Sequence, residues 1–214
     1  MADVTVDVLT PATVIDFLTL AEAKMLLGIA ATDTSQDPLL TFLISIFSAY
    51  IAEVCNRTFA KQRVTETWRE VFDGRLFLTQ WPVKDTDIES VTAAGSVMTP
   101  DTYELEEWSG KLSNVLVNDP QSSDWPQSVI VTYTGGFDLP TEAPLPLKQA
   151  CAVLIREERI RMMQAQVAGI RMISHRGNRV MFFDPNAVLL KLGTASPARQ
   201  MIDPLLRQYI RFWV

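Results

Sequence analysis

Histidine and cysteine are nearly absent from this chain, and the chemistry that depends on them goes with them. The single histidine, His175, stands in a polar run, and no Cys/His cluster occurs at metal-ligand spacing. The two cysteines, Cys55 and Cys151, both fall in helical patterns, so buried, reduced thiols are expected ahead of a disulfide. Neither G-x-x-x-x-G-K-[ST] nor G-x-G-x-x-G is present, which leaves nucleotide binding without support. No G-x-S-x-G nucleophile elbow occurs either. No apolar run reaches the ~18 residues of a membrane span; the longest, Leu39–Ile46, is broken by Thr41 and Ser45. The N-terminal stretch is acidic and lacks the basic segment of a signal peptide, so no export signal is expected. The expectation is a protein with no catalytic residue, no cofactor and no bound metal. The acidic neighbours Glu157 and Glu158, and Glu104, Glu106 and Glu107, read as solvated faces. A small β-barrel enzyme built on a carboxylate pair is the weakest alternative.

What the chain does have is an uneven distribution of charge. Residues 1–140 carry 8 Lys/Arg against 20 Asp/Glu, a net of −12, whereas residues 141–214 carry 11 against 5, a net of +6. Such asymmetry suits complementary surfaces for self-association or for different partners; two solvated surfaces are the alternative. The arginines Arg156, Arg159, Arg161, Arg171, Arg176 and Arg179 fit phosphate. They also sit beside Glu157 and Glu158 with no interleaved aromatic platform, so protein contacts are favoured over DNA contacts.

The order of elements reads helices, strands, helices. Residues 1–16, with alternating Val4, Val6 and Val8, form an extended N-terminal arm. Thr19 and Glu22 make a capping box for a short helix that Gly28 ends. Asp37 caps a second helix with Pro38 in its first turn, and apolar residues recur at helical spacing as far as Cys55. From Val64 the period changes. Six or so short strands, joined by turns at Asp73-Gly74, Gly95-Ser96 and Ser109-Gly110, predict an antiparallel meander or small barrel closed by Val129–Thr134. A seam follows: Gly135-Gly136, then Pro140, Pro144 and Pro146, then a helix from about Leu147. Ser174–Asn178 reads as a polar loop. A last helix over about Ala198–Phe212 should kink or restart at Asp203-Pro204.

The predicted fold class is therefore α+β: a helical bundle core (17–60 and 141–168) with an inserted antiparallel β module (61–140) and a C-terminal helical extension (169–214). The arm valines Val4, Val6 and Val8 are candidates for adding to a neighbour's sheet edge. The chain ends in aromatic and basic residues. Arg207, Tyr209, Arg211, Phe212 and Trp213 have the composition of interface anchors, with a tail folded back on its own core as the alternative.

Three segments carry a resemblance: FLTLAEAKMLLGI, DPLLTFLISIFSAYIAEVCNRTF and YTGGFDLPTEAPLPLKQACAVLIREE. Over about residues 17–160 their order resembles the head–tail connector (adaptor, or head completion) proteins of tailed bacteriophages and related particles. The resemblance implies a structural virion protein made in the bacterial cytoplasm. It implies a homo-oligomeric ring, typically dodecameric, beneath the portal protein and above a downstream tail or stopper protein. DNA would pass through its channel without specific binding, and no membrane would be involved. The basic, aromatic C-terminal residues would then dock the portal, and the acidic side would face the channel. A stopper or tail terminator is the alternative within the same class.

Overall fold

The structure is a computed structural model of the chain and describes residues 3–69, 71, 74–115, 125, 128–166, 172–175, 178–181 and 197–211. The fold is mixed α+β, and the chain divides into two units. The first comprises residues 1–16, 52–143 and 210–214; the second comprises 17–51 and 144–209.

The first unit is built from strands. Asp3–Thr10 (β1), Gln62–Arg69 (β2), Arg75–Phe77 (β3), Ile88–Ala93 (β4), Ser96–Val97 (β5), Tyr103–Glu106 (β6), Lys111–Asn114 (β7) and Ser128–Gly135 (β8) make two antiparallel sheets. One has the order β1-β2-β8-β4-β5 and the other β3-β7-β6. This is not the expected meander, because the last strand enters the middle of the larger sheet. Val129, Val131 and Tyr133 on β8 are fully buried, and a strand that apolar belongs between two others. The two sheets share one core: Val64 and Trp68 of β2 and the β8 residues meet Leu76 of β3 and Leu112 of β7.

The N-terminal arm is extended and takes part in the larger sheet. Residues 3–10 do not stand apart from the β module but pair with β2, Val4 opposite Trp68, Val6 opposite Glu66 and Val8 opposite Val64. Alternation places all three valines on the core side of the sheet. Val4 packs partly on the core, while Val6 and Val8 are exposed where the edge strand overhangs it.

The second unit is helical. Leu20–Leu27 (α1) has the expected capping box: the Thr19 side chain accepts from the Glu22 N–H, and Glu22 accepts from the Thr19 N–H. Gly28 closes it at φ +69°, a conformation that favours glycine. Asp37–Val54 (α2) runs on into the first unit, and Leu145–Gln166 (α3) starts slightly before the expected Leu147 because proline is tolerated in a first turn. Lys24 pairs with Asp37 at 2.5 Å, Lys148 with Glu22 at 2.5 Å, and Arg159 donates to Gln36 at 2.6 Å. Leu40, Leu43, Ile44 and Ile51 of α2 are buried, as are Leu147, Ala150, Cys151 and Ile155 of α3. By length and composition alone α2 would be long and apolar enough to cross a bilayer; one of its faces is buried in the chain.

The C-terminal region differs from the sequence reading in two places. Met172–His175 (β9) and Asn178–Met181 (β10) pair antiparallel, with Ser174, His175 and Asn178 in strands where a polar loop was expected. Pro197–Leu206 (α4) continues through Pro204, followed by a 3-10 turn at Arg207–Tyr209. A proline so close to a helix end removes only one backbone bond, so no restart is needed there. Ile202 and Leu206 of α4 are buried, and the helix packs against α3.

Candidate assembly surfaces

Parts of two segments that carry the sequence resemblance, the NRTF exit and the YTGGF turn, meet in the first unit. The NRTF exit of α2, the Trp81-Pro82 segment and the Gly135-Gly136 turn lie side by side. The Gly136 N–H donates to the Pro82 carbonyl at 2.9 Å, the Phe137 N–H to Phe59 at 2.7 Å, and the Lys61 N–H to Phe137 at 2.9 Å. The two glycines are required by close approach. A Cβ at Gly135 would lie 2.4 Å from the Gln80 carbonyl oxygen. One at Gly136, where φ is +108°, would lie 2.7 Å from the Ala60 carbonyl oxygen. Arg57 is buried here, its guanidinium 3.5 Å above the Trp81 ring and donating to the Trp81 carbonyl.

Beside this junction lies a buried carboxylate. Glu66 is in phase with Val64 and Trp68 on β2, so alternation turns it into the core, where it is wholly buried. One oxygen accepts from the Thr79 N–H at 2.8 Å, the Thr79 hydroxyl and the Tyr133 hydroxyl. The other accepts from the Trp68 indole N–H at 3.0 Å. Tyr133 in turn accepts from the Gln80 N–H at 3.0 Å. Burial pushes the Glu66 carboxyl above its ordinary value, and the bonds from Thr79, Tyr133 and Trp68 pull the other way without cancelling it. Burial and the neighbouring Glu66 carboxylate push Tyr133 well up. Every partner of Glu66 is a donor, and all but Trp68 on its own strand come from other parts of the β unit. The cluster is a cross-link between β2, β8 and residues 79–80, closed to solvent and so without access for a substrate.

The surfaces open to partners lie elsewhere. Residues Pro38–Ala52 of α2 contain no charged side chain. Opposite the buried face, Leu39, Phe42 and Ile46 fall on one stripe and are exposed, Phe42 to 62%. A groove of about 400 Å³ runs between the end of α1 and α3, with Arg156 and Arg159 at its rim. In the first unit, Trp108 is 74% exposed.

The sequence-predicted contact residues are dispersed. Arg207 is exposed and Tyr209 half-buried in the 3-10 turn of the second unit. Arg211, half-buried in the first unit, donates its backbone N–H to the Cys55 carbonyl at 3.0 Å. Phe212 and Trp213 lie outside the described residues. Among the arginines weighed for phosphate, Arg161 pairs with Glu158 at 3.2 Å and lies 3.8 Å from Glu157. Cys55 and Cys151 are buried with no disulfide between them, and burial raises the Cys55 thiol to about 11. Sequence reasoning missed Glu66 and Trp108. The first was detectable from its phase between Val64 and Trp68, the second from its place at a hairpin tip.

Comparison with known proteins identifies the family. A family model for head completion proteins matches residues 16–157, a span that holds the NRTF exit and the Gly135-Gly136 turn. No curated protein matches the chain. Among solved structures, a chain in the virion of a native gene transfer agent particle is similar at a TM-score of 0.53 and 15% identity, over 98% of this chain and 96% of that one. A chain in the neck of an empty gene transfer agent particle, computed with C6 symmetry, also gives 0.53, at 17% identity over 98% and 97%. The protein is structural and not an enzyme: the chain belongs to the head completion protein family.

Proposed function

We propose that this protein is a head–tail connector that works in the virion neck, forming a ring between portal and tail through which DNA passes. The observation that carries the reading is the likeness, over nearly the full length of both chains, to a subunit of a particle neck with sixfold symmetry. A ring of twelve copies fits that symmetry. Charge supports the channel. The β unit carries 8 Lys/Arg against 18 Asp/Glu, a net of −10, and the helical unit 11 against 7, a net of +4. An acidic lining lets DNA slide because like charge denies phosphate a partner. The helical pieces are read as a bundle core. The open edge and exposed valines of β1 (Val6, Val8) offer a neighbouring copy a strand to extend, and Val4 anchors that strand to its own core.

On this reading Arg207, Tyr209, Arg211, Phe212 and Trp213 dock the portal. Replacing Arg207 and Arg211 by Glu and removing Phe212–Val214 spares the buried Ile202 and Leu206. The expected outcome is portal binding weakened at least about tenfold, with the fold intact by circular dichroism. Undiminished portal binding would overturn the docking assignment. Necks imaged without a closed ring of this chain would overturn the connector reading itself.

A further inference from the structure

Two exposed features, one on each unit, are complementary in chemistry, one aromatic and acidic, the other apolar and basic. The first is the tip of the β6–β7 hairpin. Its turn is held by backbone bonds from the Gly110 N–H to the Glu106 carbonyl at 2.9 Å, from Leu78 to Gly110 at 2.9 Å and from Val83 to Glu107 at 3.0 Å. Gly110 takes φ +65°, and a Cβ there would stand 3.0 Å from the Trp81 Cβ, so the turn is packed against the chain behind it. The tip is thus a fixed knob that presents Trp108, with Glu106 and Glu107 exposed at its base. A preordered aromatic loses little entropy on binding, which makes it a good anchor.

The second feature is the groove between α1 and α3. Its apolar lining comes from Leu26, Leu27, Ile160 and Met163, of which Leu26, Ile160 and Met163 are exposed to 50%, 45% and 60%. Arg156 is exposed at the rim with no ion pair among the described residues, and Arg159 stands one turn further on. The volume of about 400 Å³ has room for an indole ring. The groove is lined by two arginines, whereas the knob carries two acids against one lysine, Lys111, whose Nζ lies 3.9 Å from Glu106.

We propose that the hairpin tip of one copy seats in this groove of the next, Trp108 on Leu26, Ile160 and Met163, with Glu106 and Glu107 facing Arg156 and Arg159. This rests on the ring reading and gives it a contact. Knob and groove are different surfaces of the same chain, so the contact is heterologous. It propagates head to tail and closes into a ring when the rotation allows, instead of stopping at a two-fold dimer. Its polarity follows the charge division between the units.

The test is a charge exchange on the full chain at high micromolar concentration, followed by sedimentation velocity. Glu107→Arg alone and Arg156→Glu alone are each expected to weaken self-association at least about tenfold. The double variant should return it to within about threefold of the parent, and Trp108→Ala should abolish it. A photo-crosslinking amino acid at position 108 should label the neighbour's peptide containing Ile160 and Met163. Single variants that associate like the parent, a double variant that stays weak, or a crosslink elsewhere would each overturn the contact. The ring reading survives those results if necks still contain a closed ring, and falls with the contact only if the parent chain forms no ring in solution or in particles.

Discussion

The β unit and the helical unit break the rule of apolar inside and polar outside in opposite directions. The β unit buries an acid, Glu66, at a position where alternation along β2 would place a valine or leucine. The helical unit exposes leucine, phenylalanine and isoleucine on α2, at positions where a surface helix would carry Lys or Glu. A buried polar group is tolerated only when its bonds are satisfied inside the same unit, and those of Glu66 are. An exposed apolar stripe has no such internal completion. The first deviation is an internal lock, and the second is a surface that leaves apolar area in water.

That contrast gives its largest effect at Glu66. Glu66→Ala would leave the Thr79 N–H and hydroxyl, the Tyr133 hydroxyl and the Trp68 indole facing a cavity. Unfolding in denaturant should show a loss of about 3–5 kcal/mol. A loss under about 1 kcal/mol would mean that the cluster is not a lock.

A smaller effect separates the units by pH. Burial holds the Glu66 carboxyl above its ordinary 4.5, so its contribution to stability is full below that value and is lost as pH rises through the folded one. Glu22 has the opposite sign. Burial opposes its ionisation, but the bonds from Lys148 and Thr19 outweigh burial and hold it below 4.5. Its contribution is present above 4.5 and is lost as pH falls through the lowered value. Denaturant melts from acid to neutral pH should therefore flatten on the acid side in Glu22→Gln, by about 1 kcal/mol for this partly exposed pair. They should flatten on the neutral side in Glu66→Gln. The same slope change from both variants would erase the distinction.

The smallest effect on folding is expected on α2. Phe42→Ser removes an exposed ring and should move unfolding by no more than about 0.5 kcal/mol. The same substitution should raise the solubility of the unassembled chain, read as the concentration at which it precipitates. A stability loss as large as that of Glu66→Ala would show that the stripe is already covered within the chain.

Local signals in the sequence led reliably to local structure. Thr19 with Glu22, Gly28, and Asp37 with Pro38 marked helix ends because capping depends on a few adjacent residues. Ser109-Gly110 marked the β6–β7 hairpin for the same reason. Strand order was not legible. That β8 lies between β2 and β4 is a matter of partners distant in the sequence, and the only trace was the apolar run Val129, Val131 and Tyr133. For the arm, alternating valines said that the segment is extended but not which strand it pairs with. Of the surfaces, the terminal aromatic residues stood out by composition alone. Trp108 did not, although the Ser109-Gly110 turn beside it marked a hairpin tip.

The uncharged span Pro38–Ala52 has a consequence for the life of the subunit outside the particle. A helix apolar on both sides, with one side in water, is the kind of surface that chaperones hold and that aggregates recruit. The unassembled protein is therefore on a clock. Copies left with that stripe in water are expected to precipitate as their concentration rises, a trend that covering the stripe would remove.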